Sequence, residues 1–139
     1  MRIKESDNSQ IAGRHLPEAE LEIMQVVWRC EDQVSASYIL SMLTNRDWAL
    51  PTLMTVLTRL TRKGFLTCEK HGRNNYYRPA VTEEAYQASE GKTMLKKLYR
   101  DSFPDMVASL YNGKAIKKED LLELRNMIDR LAGEEESHD

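Results

Sequence analysis

The run of residues 51–64 constrains the fold of this chain more than any other segment. Proline near its start and glycine at its end are typical of the first turn and the C-terminus of a helix. The apolar residues between them recur at positions i, i+3, i+4 and i+7, which predicts a helix with one buried face. Those residues are Leu53, Val56, Leu57 and Leu60, and the opposite face carries Thr52, Thr55, Arg59, Arg62 and Lys63, with Met54 beside them.

Two shorter helices are predicted before this one. The first covers residues 17–28, with Pro17 at its first position. The second runs for about ten residues after Ser35, which is a predicted N-cap. Each has an apolar face at helical spacing that we expect to be buried. The predicted buried residues are Leu21, Met24, Val27 and Trp28 in the first helix, and Tyr38, Ile39, Met42 and Leu43 in the second.

After Gly64 the apolar period changes from about 3.6 residues to about 2, which indicates strands. Strands are predicted at residues 65–69 and 75–78, joined by residues 70–74 with the cationic Arg73 near the tip. Tyr76 and Tyr77 alternate across the second strand, so we expect one in the core and the other at the surface. Three helices followed by such a hairpin predict a winged helix-turn-helix, which is mainly α with a small β-hairpin.

Charge is unevenly distributed along the 139 residues, although the formal net charge is only −2. Residues 51–79 contain six basic residues and one acidic residue, whereas residues 115–139 contain four basic and eight acidic residues. The positive excess coincides with the predicted helix and hairpin. A helix fits the major groove of DNA, where polar side chains at its N-terminal end reach base edges and basic side chains neutralise phosphates. The sequence therefore predicts a DNA-binding domain.

Other classes of function are less compatible with the sequence. A protein-interaction module that uses the basic helix on an acidic partner is the alternative that the charge pattern leaves open. An enzyme is not expected, because no nucleophile, general-base or phosphate-loop pattern occurs. Neither a metal nor a cofactor is expected, because Cys30, Cys68, His15, His71 and His138 lack ligand spacing. No apolar run approaches the roughly 18 residues that span a bilayer, and no signal-peptide core is present, which favours the cytoplasm.

The C-terminal third has the pattern of helices that pair with a second chain. Helices are predicted from the N-cap Thr82 to about Ser102, from Pro104 to the break at Asn112, and finally up to about Leu131. Their apolar stripes would stay partly exposed on so small a unit, so we expect a homodimer, the alternative being that they fold back on the winged domain. The predicted dimerisation residues are Leu95, Leu98, Met106, Val107, Leu110, Leu121, Leu124 and Ile128.

The predicted organisation has four parts. Residues 1–15 form a flexible arm, whose contact with DNA is left open, and residues 16–81 form the winged-helix domain. Residues 82–131 form the helical dimerisation domain, and residues 132–139 form a flexible acidic tail.

Four segments resemble a known family. They are LPEAELEIMQVVW at residues 16–28, TLMTVLTRLTRKGF at residues 52–65, HGRNNYYRP at residues 71–79 and EDLLELRNMI at residues 119–128. In this order they are similar to the BlaI/MecI/CopY family of penicillinase and copper-response repressors, over about residues 16–131. The last segment resembles the antibiotic-response branch. The copper-responsive branch carries paired C-x-C motifs near its end, which this chain lacks, so direct metal sensing is not expected.

The resemblance implies a cytoplasmic homodimer that binds a palindromic operator and represses transcription by occluding it. It implies that Thr52 and Thr55 of the recognition helix meet DNA, with Met54 at a position that is Arg in some staphylococcal members. Arg59, Arg62 and Lys63 match a basic stretch near the backbone, and His71, Arg73 and Asn74 match the wing. In the antibiotic-response branch an induced protease cuts the repressor in its C-terminal region. The resemblance therefore implies a membrane-bound sensor metalloprotease as a partner, with Ser109-Leu110 at the scissile position, where Ser replaces the family's Asn.

Overall fold

A computed structural model of the protein describes residues 13–138, with side chains up to residue 134. The predicted N-terminal arm at residues 1–15 therefore lies almost wholly outside the described residues. The chain divides into two compact units, with the boundary after Lys92. Each unit is described by itself.

The first unit is a winged helix-turn-helix, as the sequence predicts. Three helices precede a β-hairpin, and a short strand from the start of the second helix joins the hairpin to make a three-stranded antiparallel sheet of order β1-β3-β2. The elements are α1 (Glu18–Trp28), β1 (Val34–Ser35), α2 (Ala36–Met42), α3 (Leu50–Lys63), β2 (Leu66–His71), β3 (Asn74–Pro79) and the first part of α4 (Glu83–Tyr99).

The buried face of α3 is the one that the apolar period predicts. Leu53, Val56, Leu57 and Leu60 all belong to the core. The helix ends at Gly64, which has a left-handed φ of 94° and whose N–H bonds back to the last turn. Such a C-terminus favours glycine, because a Cβ is strained at positive φ. The chain then enters the sheet through Phe65, which is fully buried.

The buried faces of α1 and α2 differ from those predicted. In α1 the buried residues are Glu20, Ile23, Met24 and Val27, so the face is rotated by about one residue and Leu21 and Trp28 lie at its edge. In α2 only Ile39 is buried, whereas Tyr38 is 45% and Met42 is 51% exposed, so the prediction was wrong for these two residues. The helix is only seven residues long, and one short face cannot bury four large side chains.

The wing is tighter than predicted. Its strands pair as far as His71 and Asn74, so a two-residue turn at Gly72 and Arg73 replaces the predicted connection of residues 70–74. Gly72 supplies the positive φ of 65° that a tight hairpin turn requires. Tyr77 is the buried tyrosine of β3, and Tyr76 is half-buried. The pairing of β1 with β3 was not predicted, because two residues are too few to show a period.

The second unit is helical. It contains the end of α4, then α5 (Phe103–Asn112) and α6 (Lys118–His138). The predicted cap of α4 is present, because the hydroxyl of Thr82 accepts from the N–H of Ala85 at 3.1 Å. A cap of α5 that was not predicted is present too: the hydroxyl of Ser102 accepts from the N–H of Asp105 at 3.3 Å. The helix α6 continues through residues 132–138, for which a flexible tail is predicted, because glutamates are good helix formers. Among residues 13–138, no helix is long and apolar enough to cross a membrane.

Candidate nucleic-acid interface

The solvent-facing side of α3 carries one continuous polar stripe. Thr52, Thr55, Arg59 and Arg62 are all exposed and recur at steps of three, four and three residues, which places them on one face. We call these four residues the exposed stripe. It lies opposite the buried face, so the same helix that fixes itself on the core presents two hydroxyl groups at its start and two guanidinium groups towards its end. This is the arrangement that major-groove recognition requires.

Three threonines of α3, namely Thr55, Thr58 and Thr61, donate their hydroxyl protons to backbone carbonyl groups of the same helix. The hydroxyl of Thr55 donates to the carbonyl oxygen of Pro51 at 3.1 Å, and that of Thr58 donates to Met54 at 2.9 Å. The outward part of each side chain is therefore a methyl group and the free lone pairs of the hydroxyl oxygen. A methyl group can contact the methyl of thymine, and a lone pair can accept from a base amino group.

Two of the predicted recognition-helix residues are not part of the exposed stripe. Met54 is half-buried and packs against the core. Lys63 donates from Nζ to both carboxylate oxygens of Glu20, at 2.8 and 3.0 Å. Arg59 and Arg62, in contrast, form no ion pair with any carboxylate among the described residues. Arg59 and Arg62 are thus available to bind an anion, whereas Lys63 is already paired with Glu20.

The wing presents one free cation at its turn. Arg73 is exposed between the strand ends, and no carboxylate of the described part of the chain pairs with it. His71 lies 3.3 Å from Glu69 through Nε2, and its ring meets that of Tyr76 edge-on at 5.5 Å. Asn74 faces His71 across the turn as the closing pair of the hairpin. The three predicted wing residues are therefore adjacent, with Arg73 outermost.

A groove of about 310 Å³ lies between the second half of α3 and the sheet. It is lined by Thr58, Thr61, Arg62, Cys68, Asn75 and Tyr77. Burial raises the pKa of Tyr77, and the neighbouring Cys68 raises it further. The groove holds a guanidinium group beside hydroxyl and amide groups, which suits an anion better than a metal ion. Across the described part of the chain, no three His, Cys, Asp or Glu side chains are grouped to hold a metal.

A hydrogen-bonded network around the buried Tyr86 was not predicted from the sequence. The hydroxyl of Tyr86 accepts from the backbone N–H of Leu16 at 3.0 Å and donates to Glu90, which lies 2.8 Å from His15. Burial, followed by the bond to Glu90, raises the pKa of Tyr86 to about 12. The same bond lowers the pKa of Glu90. The network ties the chain before α1 to α4, so it is structural.

The second unit exposes an apolar groove of about 370 Å³ between α5 and α6, which we call the α5–α6 groove. Four of the predicted dimerisation residues line it, namely Val107, Leu121, Leu124 and Ile128, together with Phe103, Pro104, Ala108 and Tyr111. Leu98 and Leu110 are exposed, and Leu95 and Met106 are half-buried. Ser109 and Leu110, the predicted cleavage position, are exposed within α5, and Tyr99 donates to the hydroxyl of Ser109 at 3.3 Å.

The chain matches a known protein family. The family described as Penicillinase repressor matches residues 16–130. The chain is 27% identical over 112 residues to the methicillin resistance regulatory protein MecI of Mammaliicoccus sciuri, covering 81% of this chain and 91% of the relative. It is 27% identical over 114 residues to the penicillinase repressor of Bacillus licheniformis, covering 82% and 89%.

Part of the chain is similar to a solved structure. It is the monomeric form of BlaI from Bacillus licheniformis in complex with the blaP half-operator, with 32% identity and a TM-score of 0.45, covering 52% of this chain and 89% of that chain. The family match spans most of the 139 residues. The chain therefore belongs to the penicillinase repressor family, whose members are DNA-binding transcriptional repressors and not enzymes.

Proposed function

We propose that this chain is a homodimeric repressor that binds a two-fold symmetric DNA operator and blocks transcription by occupying it. The observation that carries the proposal is the exposed stripe of α3, which places Thr52 and Thr55 before Arg59 and Arg62 on the face opposite the core. Hydroxyl and methyl groups at the N-terminal end of a helix reach base edges when the helix lies in the major groove.

The cations hold the DNA backbone in this proposal. Arg59 and Arg62 on α3 and Arg73 at the wing turn are exposed and unpaired by carboxylates among residues 13–138, so their charge is available to phosphates. Phosphate contacts fix the register of the protein on the duplex, and base contacts select the sequence. Arg62 also lines the groove between α3 and the sheet, where the side-chain amide of Asn75 can donate to the same phosphate.

A second copy of the chain covers the α5–α6 groove in this proposal. The groove is lined by eight residues with scarcely any polar surface, and exposed apolar residues such as Leu122 and Leu131 continue it along α6. Contiguous apolar surface of this kind marks an interaction site in soluble proteins. Most homo-oligomers are two-fold dimers, and a dimer of this sort requires two half-sites on the DNA.

The experiment that tests the proposal is selection of bound sites from random duplexes, combined with sedimentation of the free protein. We expect enrichment of a two-fold symmetric sequence and a dimer at micromolar concentration. A basic helix that serves only an acidic protein partner would enrich no sequence at all. A monomer that enriches a single unrepeated half-site would contradict the dimer and the palindrome, and leave DNA recognition by α3 standing.

Release of the repressor by proteolysis is the second part of the proposal. The peptide bond between Ser109 and Leu110 is exposed, but it lies within α5, so a protease has to unwind that helix before cutting. A membrane-bound sensor metalloprotease would cut there after induction and separate α6 from the rest of the chain. Mass spectrometry of the repressor from induced cells should find a fragment that ends at Ser109. An uncut chain in cells that have lost repression would exclude this route.

A further inference from the structure

Glu20 stands apart from the other charged residues of the first unit because it is buried. It is 2% exposed, and it is the one polar or charged residue that is buried among residues 13–134. Glu18 is exposed and Glu22 is half-buried. A carboxylate withdrawn from water is costly unless an opposite charge and hydrogen bonds compensate for the lost hydration. The partner of Glu20 therefore determines what this site does.

Lys63, the last residue of α3, is that partner. Its Nζ donates to both carboxylate oxygens, and its side chain is 32% exposed, against 3% for that of Glu20. The pair joins the first turn of α1 to the last turn of α3, where the helix dipoles favour an acid and a base respectively. Beyond Lys63 the chain turns at Gly64 towards the buried Phe65. The C-terminal end of α3 is thus held on both sides.

This pairing limits what Lys63 can do on DNA. An ammonium group has three donors, and Glu20 uses two of them. If Lys63 moved to a phosphate, it would leave a buried carboxylate without its counter-charge, which is strongly unfavourable. Arg62, the preceding residue, is exposed and has no such partner among the described residues. Arg62 is therefore available to a phosphate, whereas Lys63 is held by Glu20.

We infer that Glu20 and Lys63 are positioning residues for the recognition helix, and that Lys63 is not a phosphate contact. This inference rests on the proposed function, in which α3 is the helix that enters the major groove. Because the pair fixes one end of α3 against α1, it sets the angle at which the exposed stripe meets the bases. Because its charges cancel, it adds nothing to the salt dependence of DNA binding.

The first test compares salt dependence on a random duplex, which needs no knowledge of the operator. The double variant Glu20→Gln/Lys63→Met removes both charges of the pair, so it should leave the slope of log affinity against log salt at the wild-type value, whereas the neighbouring variant Arg62→Met should make the slope shallower by about 0.9 per subunit. Glu20→Gln should do the opposite: it frees the ammonium group, so affinity for the random duplex should rise and the slope should become steeper by about 0.9 per subunit. A purely structural role for Glu20 would not produce this gain.

The second test measures folding and specificity. Lys63→Met should lower the melting temperature, because it strands the carboxylate, and the double variant Glu20→Gln/Lys63→Met should recover most of that loss. Lys63→Arg should keep both the melting temperature and the ratio of affinity for the selected duplex over the random one. Glu20→Gln should reduce that ratio. Should Lys63→Met itself fold poorly, the double variant, which has no buried charge, still supplies the salt slope.

The outcomes separate this inference from the function it rests on. If the wild-type protein enriches no sequence, the proposed function fails, and the slopes on the random duplex still decide whether Lys63 neutralises phosphate. If the wild type enriches a sequence and the double variant loses as much slope as Arg62→Met, Lys63 is a phosphate contact and the inference is overturned. If Glu20→Gln leaves the affinity ratio unchanged, the pair does not position the helix.

Discussion

The hydroxyl of Thr55 donates to the carbonyl oxygen of Pro51 at 3.1 Å, one turn earlier in α3. The side chain therefore turns its methyl group and a lone pair outward, towards the space that a base edge would occupy. Thr58 makes the same bond to Met54 at 2.9 Å and is also exposed, one turn further from the helix N-terminus. The two threonines make the same internal bond and differ in their distance from the N-terminus of α3.

We predict that Thr55→Ala lowers affinity for the selected operator by about 1–3 kcal/mol, the scale of a base-edge contact, and affects a random duplex much less. Thr58→Ala removes an identical internal bond, so it controls for the change in helix propensity and should not alter the ratio of the two affinities. Paired titrations of both duplexes measure this. An equal loss on both duplexes for Thr55→Ala would show that this position does not select sequence.

A second prediction concerns the core beneath the exposed stripe. Leu57 is fully buried, so Leu57→Ala should destabilise the fold by about 2–5 kcal/mol. Leu50, on the same helix, is 45% exposed, and Leu50→Ala should change stability by less than about 0.5 kcal/mol. Denaturant unfolding compares the two. At temperatures where both variants are folded, the operator-to-random ratio of Leu57→Ala should match the wild type; a reduced ratio there would assign Leu57 a part in recognition.

The third prediction is the salt dependence of the whole complex. Arg59, Arg62 and Arg73 in each of two subunits give six phosphate contacts, which predict a log–log slope of about −5. Arg73→Ala should weaken all sequences alike and make the slope shallower. Lys96→Ala, at an exposed cation of α4, is the control and should leave the slope unchanged. If Arg73→Ala altered sequence preference and kept the slope, the wing would not be a backbone contact.

The fourth prediction addresses the dimer. Ile128 lines the α5–α6 groove, so Ile128→Asp should place a charge in the proposed subunit contact and yield monomers by sedimentation at micromolar concentration. Asn126→Asp adds the same charge on the opposite side of α6 and should stay dimeric, since the two positions are two residues apart on one helix. A dimer that tolerates Ile128→Asp would locate the subunit contact elsewhere.

The fifth prediction follows from the raised pKa of Tyr86. Because the folded state favours the neutral phenol, its contribution to stability is complete below about pH 10, the ordinary tyrosine value. It is lost as the pH rises towards about 12, the pKa in the folded state. Melting temperatures should therefore fall more steeply above pH 10 in the wild type than in Tyr86→Phe. Parallel curves for the two proteins would disprove the assignment.

Glu90 should show the opposite dependence. Its pKa is lowered in the folded state, chiefly by the bond from Tyr86, so its contribution is complete above the ordinary glutamate range and is lost as the pH falls through it. Glu90→Gln should flatten the acid side of the melting profile relative to the wild type. An unchanged acid side would mean that the bond does not persist in solution.

Much of the first unit could be predicted because its apolar periods are long. Fourteen residues of α3 provide four points on one face, enough to fix which side is buried. The two residues of β1 provide none, and their pairing with Tyr76 and Tyr77 depends on where the wing folds back. Tyr38 and Met42 show that helical spacing alone does not predict burial. Both apolar side chains stay exposed because α2 is short.

The candidate site was predicted less completely, because exposure and pairing are properties of the fold. Lys63 and Arg62 are adjacent basic residues in the sequence, and only the ion pair of Lys63 with Glu20 distinguishes them in the fold. One signal for Glu20 was present: it precedes Ile23 by three residues and Met24 by four, so it lies on the buried face of α1. A charged residue in an apolar stripe predicts a partner, although the stripe does not identify it.

Ser35 belongs to two structures at once. Its backbone pairs with Tyr76 in the sheet, and its hydroxyl accepts from the N–H of Tyr38 to cap α2. The wing is therefore coupled to α2. A change in the tilt of the wing should move the first turn of α2, and with it the connection from α2 to α3. Shortening the connection between Trp28 and Val34 by one residue would pull β1 out of register with β3 and disturb the Ser35 cap of α2 in the same step. Insertions and deletions in this connection should accordingly be far more damaging than at Gly72, where the hairpin ends in solvent.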